Sequence, residues 1–288
     1  MNREQACARY RALLLLVLTA LLSACAAAPQ TQRLQDAPPP NLASNKYLGF
    51  VPFFPQQLYQ CGPAALATVL NAAAVRITPD ELVSQVYIPA RQGSLQVEML
   101  AAARRSERLA HVIPGTLEAV LGEVAAERSV LVMQNLGLRQ LPQWHYAVVV
   151  GYNLDRAEIT LRSGTIRDYV LPMAVFERTW ARAGHWAVVA LPSGEIPVSI
   201  SATDYFMAVA EFERLHPQLS EAAWREGMMR WPGSEILAMG MSNWLFRAGQ
   251  VQASATILEN LLEERPDYRP AQQNLTLIRQ VLSESEVL

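Results

Sequence analysis

The run Cys61-Gly62-Pro63-Ala64-Ala65-Leu66-Ala67-Thr68-Val69-Leu70-Asn71-Ala72-Ala73 decides how this chain is read. Pro63 suits a first helical turn, where its missing N–H is not needed. Leu66, Val69, Leu70 and Ala73 then recur at helical spacing without a breaker, which predicts a buried helix with Cys61 at its N-terminus. Just upstream, Phe50-Val51-Pro52-Phe53-Phe54 is a short apolar run where folded structure is expected to begin, and Pro55 to Gln60 reads as a polar loop.

Downstream, Thr78-Pro79-Asp80-Glu81 opens a second helix, and Ser94 to Arg105 and Thr116 to Arg128 give two more amphipathic helices, each begun by a hydroxyl residue. The pattern then turns to strands at 130–133, 145–152, 157–162, 166–171 and 185–191, with one helix over 173–182. Helices first and antiparallel strands later predict an α+β domain over residues 48–195.

Beyond Pro192 helices return. Pro232 and Pro266 lie 34 residues apart, the period of a tetratricopeptide repeat, in which proline closes the second helix of each unit. That register pairs Ala208 with Ser242, Phe212 with Phe246 and Trp224 with Leu258. Residues 200–285 are therefore expected to form an all-α, tetratricopeptide-like tail that packs on the first domain or offers a groove to a protein partner.

Arg3, Arg9 and Arg11 precede an apolar core from Ala12 to Leu22, so residues 1–24 read as an export signal, too short to span a bilayer. Leu22-Ser23-Ala24-Cys25 resembles the lipobox of bacterial lipoproteins, which implies cleavage before Cys25 and lipid on that cysteine. Ala26 stands where an aspartate would signal retention in the inner membrane. The resemblance thus implies an outer-membrane lipoprotein on the periplasmic side, held by its lipid anchor alone. Residues 25–47, rich in Ala, Gln and Pro, read as a flexible, extended stalk without a core. The 288 residues, 51% hydrophobic, suffice for two domains. A net charge of −2 gives no basic surplus and argues against nucleic acid as a partner.

Of three cysteines, Cys7 would leave with the signal and Cys25 would carry lipid, leaving Cys61 as the one free thiol in an oxidising compartment. Such a thiol is either buried or useful. A helix N-terminus favours the thiolate, the form that acts as nucleophile. For a base, His145 heads Tyr146-Ala147-Val148-Val149-Val150-Gly151-Tyr152, a stiff strand that would fix an imidazole. His185 begins a similar stretch and is a rival; His111 and His216 read as structural or solvent-facing.

Gln56-Gln57-Leu58-Tyr59-Gln60-Cys61-Gly62-Pro63-Ala64-Ala65-Leu66 together with the His145 strand resembles the papain-like, bacteriocin-processing cysteine peptidases that remove double-glycine leaders. The likeness spans roughly residues 48 to 192. Stalk, domain and repeat tail together resemble a lipid-anchored proteobacterial subgroup of that family. The resemblance implies a cysteine peptidase acting on a peptide or protein, with neither metal nor organic cofactor. Cys61 would be the nucleophile and His145 the general base. Gln56 would join the cysteine's backbone N–H in binding the oxyanion. The usual spacing is one residue longer and falls on Pro55; Gln57 and Gln60 are weaker substitutes.

The family also carries an aspartate, usually as Asp-Pro, one hairpin after the histidine, and no Asp-Pro occurs in this chain. Asp155 lies in a turn ten residues from His145, roughly 30 Å away along a strand, and is rejected. Folding the hairpin about Leu154 and Asp155 sets His145 opposite Gly164, which leaves Ser163 or Thr165 as the polar neighbour, with Ser163 the candidate orienting residue. A hydroxyl orients an imidazole without supplying charge, so turnover would be slowed or lost. A scaffold that captures peptides or partners, and acyl or peptidyl transfer through the same thioester, are the competing functions.

Overall fold

The computed structural model describes residues 28–56 and 60–285. The stretch expected to be an export signal (1–24), the expected lipid attachment at Cys25, and Gln57 lie outside the described residues.

The expected stalk is not extended throughout: Pro29–Asp36 is a helix, α1, packed on the domain. Its first N–H groups, which lack partners within a helix, meet the buried carboxylate of Glu177, which accepts from Gln30 N at 2.9 Å, Thr31 N at 2.7 Å and Thr31 Oγ1 at 2.7 Å. The Gln30 side chain donates to Gly115 O and accepts from Leu117 N, and Leu34 is buried. Composition pointed to an unstructured stalk because all these partners lie 85 or more residues away in sequence.

A short strand β1 (Asn45–Tyr47) follows, and then α2 (Cys61–Ala72), whose residues from Gly62 to Leu70 are all buried. Helix α3 (Pro79–Val86) is held by a reciprocal capping box between Thr78 and Glu81. Strands β2 (Tyr87–Ile88) and β3 (Gly93–Ser94) form a small hairpin before α4 (Gln96–Arg105). Ser94 thus belongs to that hairpin and not to the helix start. Next come β4 (Leu109–Val112), which the hydropathy pattern did not disclose, and α5 (Leu117–Ala125).

The β-rich half follows the expected order: β5 (Val130–Asn135), β6 (Trp144–Asn153), β7 (Glu158–Ser163), β8 (Ile166–Pro172), helix α6 (Met173–Ala181) and β9 (Ala187–Leu191). They pair antiparallel in the order β4-β9-β5-β6-β7-β8, with β1 also paired to β6. Runs of Val, Ala, Leu and Ile bury β5, β6 and β9, where apolar residues continue on both faces instead of alternating. One large core includes α2 and this sheet.

Five helices occupy the C-terminal part of the described chain: α7 (Ala202–Glu213), α8 (Ser220–Arg230), α9 (Glu235–Arg247), α10 (Val251–Glu264) and α11 (Arg269–Ser285). Pro232 and Pro266 each follow the second helix of a pair. Phe212, Trp224 and Leu258 are buried, whereas Phe246 is 39% exposed, so the 34-residue register is not matched at every position. The tail meets the sheet along β4, where Leu109 enters the tail core and His111 stacks on Tyr205 with ring centroids 5.4 Å apart. Among the described residues no helix is long and apolar enough to cross a membrane.

Candidate active site

Cys61 begins α2, as Pro63 and the following apolar spacing require. Gly62 is fixed by crowding, because a Cβ there would collide with the Ser94 side chain. The Cys61 thiol is approached by the backbone N–H groups of Tyr146, Gly62 and Cys61 itself, which favour its anion, but burial outweighs them and pushes the thiol pKa up. The helix start supplies the expected backbone donors, but desolvation is the larger of the two effects. Tyr146 is the residue after His145, so its N–H ties the thiol to the strand that carries the candidate base.

His145 stands near the start of β6, partly exposed, and burial lowers its pKa. Its Nε2 lies 2.8 Å from Ser163 Oγ. With Nε2 engaged by the hydroxyl, Nδ1 is the nitrogen left to exchange a proton with a thiol. Both members of the pair are held in their neutral forms by the same cause, removal from water.

Ser163 ends β7, but not through the expected symmetry. The β6–β7 turn spans residues 154–157, and the ladder pairs Asn153 with Glu158 and Tyr152 with Ile159 before shifting at a bulge between Val149 and Gly151 to pair Val148 with Arg162. The hairpin axis is thus displaced from Leu154–Asp155 toward the chain end, because the turn takes four residues and the strand carries an extra one. Asp155 sits in that turn, at the far end of β6 from His145.

Gln56 is at the site. Its backbone N–H donates to Gly164 O at 2.9 Å and its Nε2 to Tyr146 O at 3.1 Å, which uses one of two amide hydrogens. Gln60 is the residue before α2 and makes no side-chain capping bond. The approach to Gln56 is pinned by Arg162, buried within the sheet: its guanidinium donates to Val51 O, Arg167 O, Asp168 and Tyr47 Oη. This strut was hidden at the level of sequence, since an arginine inside β7 reads as an outward residue. The Tyr146 N–H was equally hidden, because backbone donors carry no sequence signal.

The other histidines are held elsewhere. His185 precedes β9 with a positive φ of 55° and lies edge-on to Trp180 at 4.8 Å. His216 Nε2 is 2.8 Å from Arg104 O. His111 is fully buried, with neither ring nitrogen partnered among the described residues.

Residues 49–188 match the sequence model of the Peptidase_C39 like family. The matched segment contains Cys61, His145, Gln56 and Ser163, and it supports a relationship to the papain-like, bacteriocin-processing cysteine peptidases. No curated protein matches the sequence. Solved structures similar to this chain include one described as a C39-like peptidase from Bacillus anthracis, 16% identical, covering 52% of this chain and 98% of the other at a TM-score of 0.44. A double glycine motif protease from an AMS/PCAT transporter, in complex with the leader peptide, is 19% identical, covering 51% and 95% at 0.40. The peptidase domain of Streptococcus ComA is 17% identical, covering 50% and 99% at 0.41.

Proposed function

We propose that the chain is a cysteine peptidase of the bacterial envelope, tethered to the outer membrane by lipid on Cys25, with Cys61 as nucleophile and His145 as general base. The observation that carries this reading is the backbone contact of the Cys61 thiol with Tyr146, the residue that follows the Ser163-bound His145 on β6. Because both groups rest neutral, the thiol proton passes to Nδ1 as the sulfur attacks the peptide carbonyl. The resulting oxyanion takes the Cys61 N–H and the second Gln56 amide hydrogen. Collapse expels the amine, which leaves with the proton from His145, and water then cleaves the thioester. Ser163 keeps Nδ1 aimed but supplies no charge to the imidazolium, which predicts slow turnover.

A second reading is a peptide- or protein-binding scaffold, with the tail helices as tetratricopeptide-like repeats. The raised thiol pKa, and a hydroxyl instead of a carboxylate on His145 Nε2 among the described residues, favour it. Purified chain, Cys61→Ser and His145→Ala are compared on peptides with small residues before the cleavage point. Cleavage by the parent and loss in both variants supports the peptidase; cleavage undiminished in both variants sinks it, and no cleavage with retained peptide binding selects the scaffold.

A further inference from the structure

Three features meet at one end of the central sheet. The registers place Gly115 just beyond β4, His185 just before β9, Asn135 at the end of β5 and His145 at the start of β6, all at the same end. The candidate pair is the first feature. The second is the N-terminal attachment: Gln30 is bonded to Gly115 and Leu117, so α1 starts there, and Ala28 follows Cys25 by only three residues, at most about 11 Å of chain.

The third is the loop between β5 and β6. Asn135 Oδ1 accepts from Gly137 N at 3.0 Å and Gln143 N at 2.9 Å, Asn135 Nδ2 reaches Leu138 O, and Arg182 Nε donates to Asn135 O at 3.1 Å. This fixed backbone holds its apolar side chains outward: Leu136 is 46% exposed, Leu138 67%, Leu141 76% and Trp144 53%. The one charged residue from 136 to 144 is Arg139. A clustered apolar display with a tryptophan, a cation and no carboxylate matches an anionic lipid surface.

We propose that Leu136, Leu138, Leu141 and Trp144 dip into the lipid surface that holds Cys25, with Arg139 at the phosphates, so that the Cys61–His145 site opens against the membrane. This rests on the lipid-anchor reading above. The start of α1 and the loop lie at one end of the sheet, so an anchor three residues before Ala28 brings the loop to the bilayer and the loop orients the domain on it. Polypeptides reached by the site are then those lying at or emerging from the membrane surface.

The test uses the full chain as purified from membranes, reconstituted in phosphatidylethanolamine–phosphatidylglycerol vesicles carrying a shallow nitroxide lipid. Tryptophan quenching is compared among the parent, Trp144→Phe and the double variant Leu138→Asp/Leu141→Asp, with circular dichroism confirming that each is folded. The nitroxide-quenched component is expected to fall by at least half in both variants. Mass spectrometry of the N-terminal peptide reports the lipid on Cys25 separately. With lipid present, equal quenching in parent and Trp144→Phe overturns the proposal. With lipid absent, the tether reading fails on its own, and the same vesicles added to the unlipidated chain decide: aspartate-sensitive binding supports loop insertion, and no binding overturns it. A loop that vesicles leave unchanged, but that responds to an added apolar peptide, is a substrate surface, which also overturns membrane docking.

Discussion

The sheet end around Cys61 and the seam around His111 each bury an imidazole, under opposite conditions. His111 is sealed between β4 and α7, stacked on Tyr205 and unpartnered at both nitrogens, and burial, with help from Arg128 and Arg104, pushes its pKa down to about 3. His145 is lowered by burial too, yet it keeps Ser163 on one nitrogen, partial exposure, and a thiol that contacts the next residue of its strand. The more perturbed histidine is the one without access. Perturbation alone therefore does not mark a site; a partner on one side and an approach on the other do.

The largest test of this contrast is a reciprocal pair. His145→Ala should lower cleavage by about 10²- to 10⁴-fold while leaving denaturant stability nearly unchanged. His111→Ala should leave cleavage per folded molecule intact and lose roughly 3 kcal/mol of stability, read from denaturant melts, because it opens a cavity at the seam. Loss of turnover in folded His111→Ala would break the contrast.

The next effect is in pH. With its folded pKa below the unfolded value, His111 must stay neutral in the folded chain, so its contribution is full above about pH 6.5 and is lost as pH falls from there toward 3. His111→Phe keeps an aromatic ring and removes two unpartnered nitrogens. Its stability should equal or exceed the parent's at pH 7 and fall less between pH 6 and 4, measured by thermal melts.

The smallest effect concerns Ser163. Removing one neutral hydrogen bond in Ser163→Ala should slow cleavage roughly 2- to 12-fold. Ser163→Asp should raise the pKa of His145, by placing a negative charge on Nε2, and speed the reaction; steady-state rates across pH distinguish the two.

What the sequence disclosed follows the reach of the interactions involved. The α2 helix and strands β5 to β9 were legible because their apolar spacing and β-branched runs are local. Helix α1 was not, since Glu177, Gly115 and Leu117 hold it from far along the chain. Strand β4 is four residues long and contains a histidine, too little for a pattern. Ser163 was reached through hairpin symmetry although the axis is displaced, because its side chain still meets His145. For Cys61, the helix N-terminus can be read from Cys-Gly-Pro, but the burial that outweighs its effect belongs to the folded chain.

In the proposed mechanism Cys61 and His145 form a pair that rests neutral and transfers its proton only on attack. Iodoacetamide labelling of Cys61 from pH 5 to 10, in the parent and in His145→Ala, tests it most directly. Labelling should climb through and beyond the ordinary thiol value of about 8.5, with His145→Ala slower near neutral pH because the base is gone. A labelling rate that stays high down to pH 5, the mark of a standing thiolate–imidazolium pair, or identical rates in the two proteins, would contradict it.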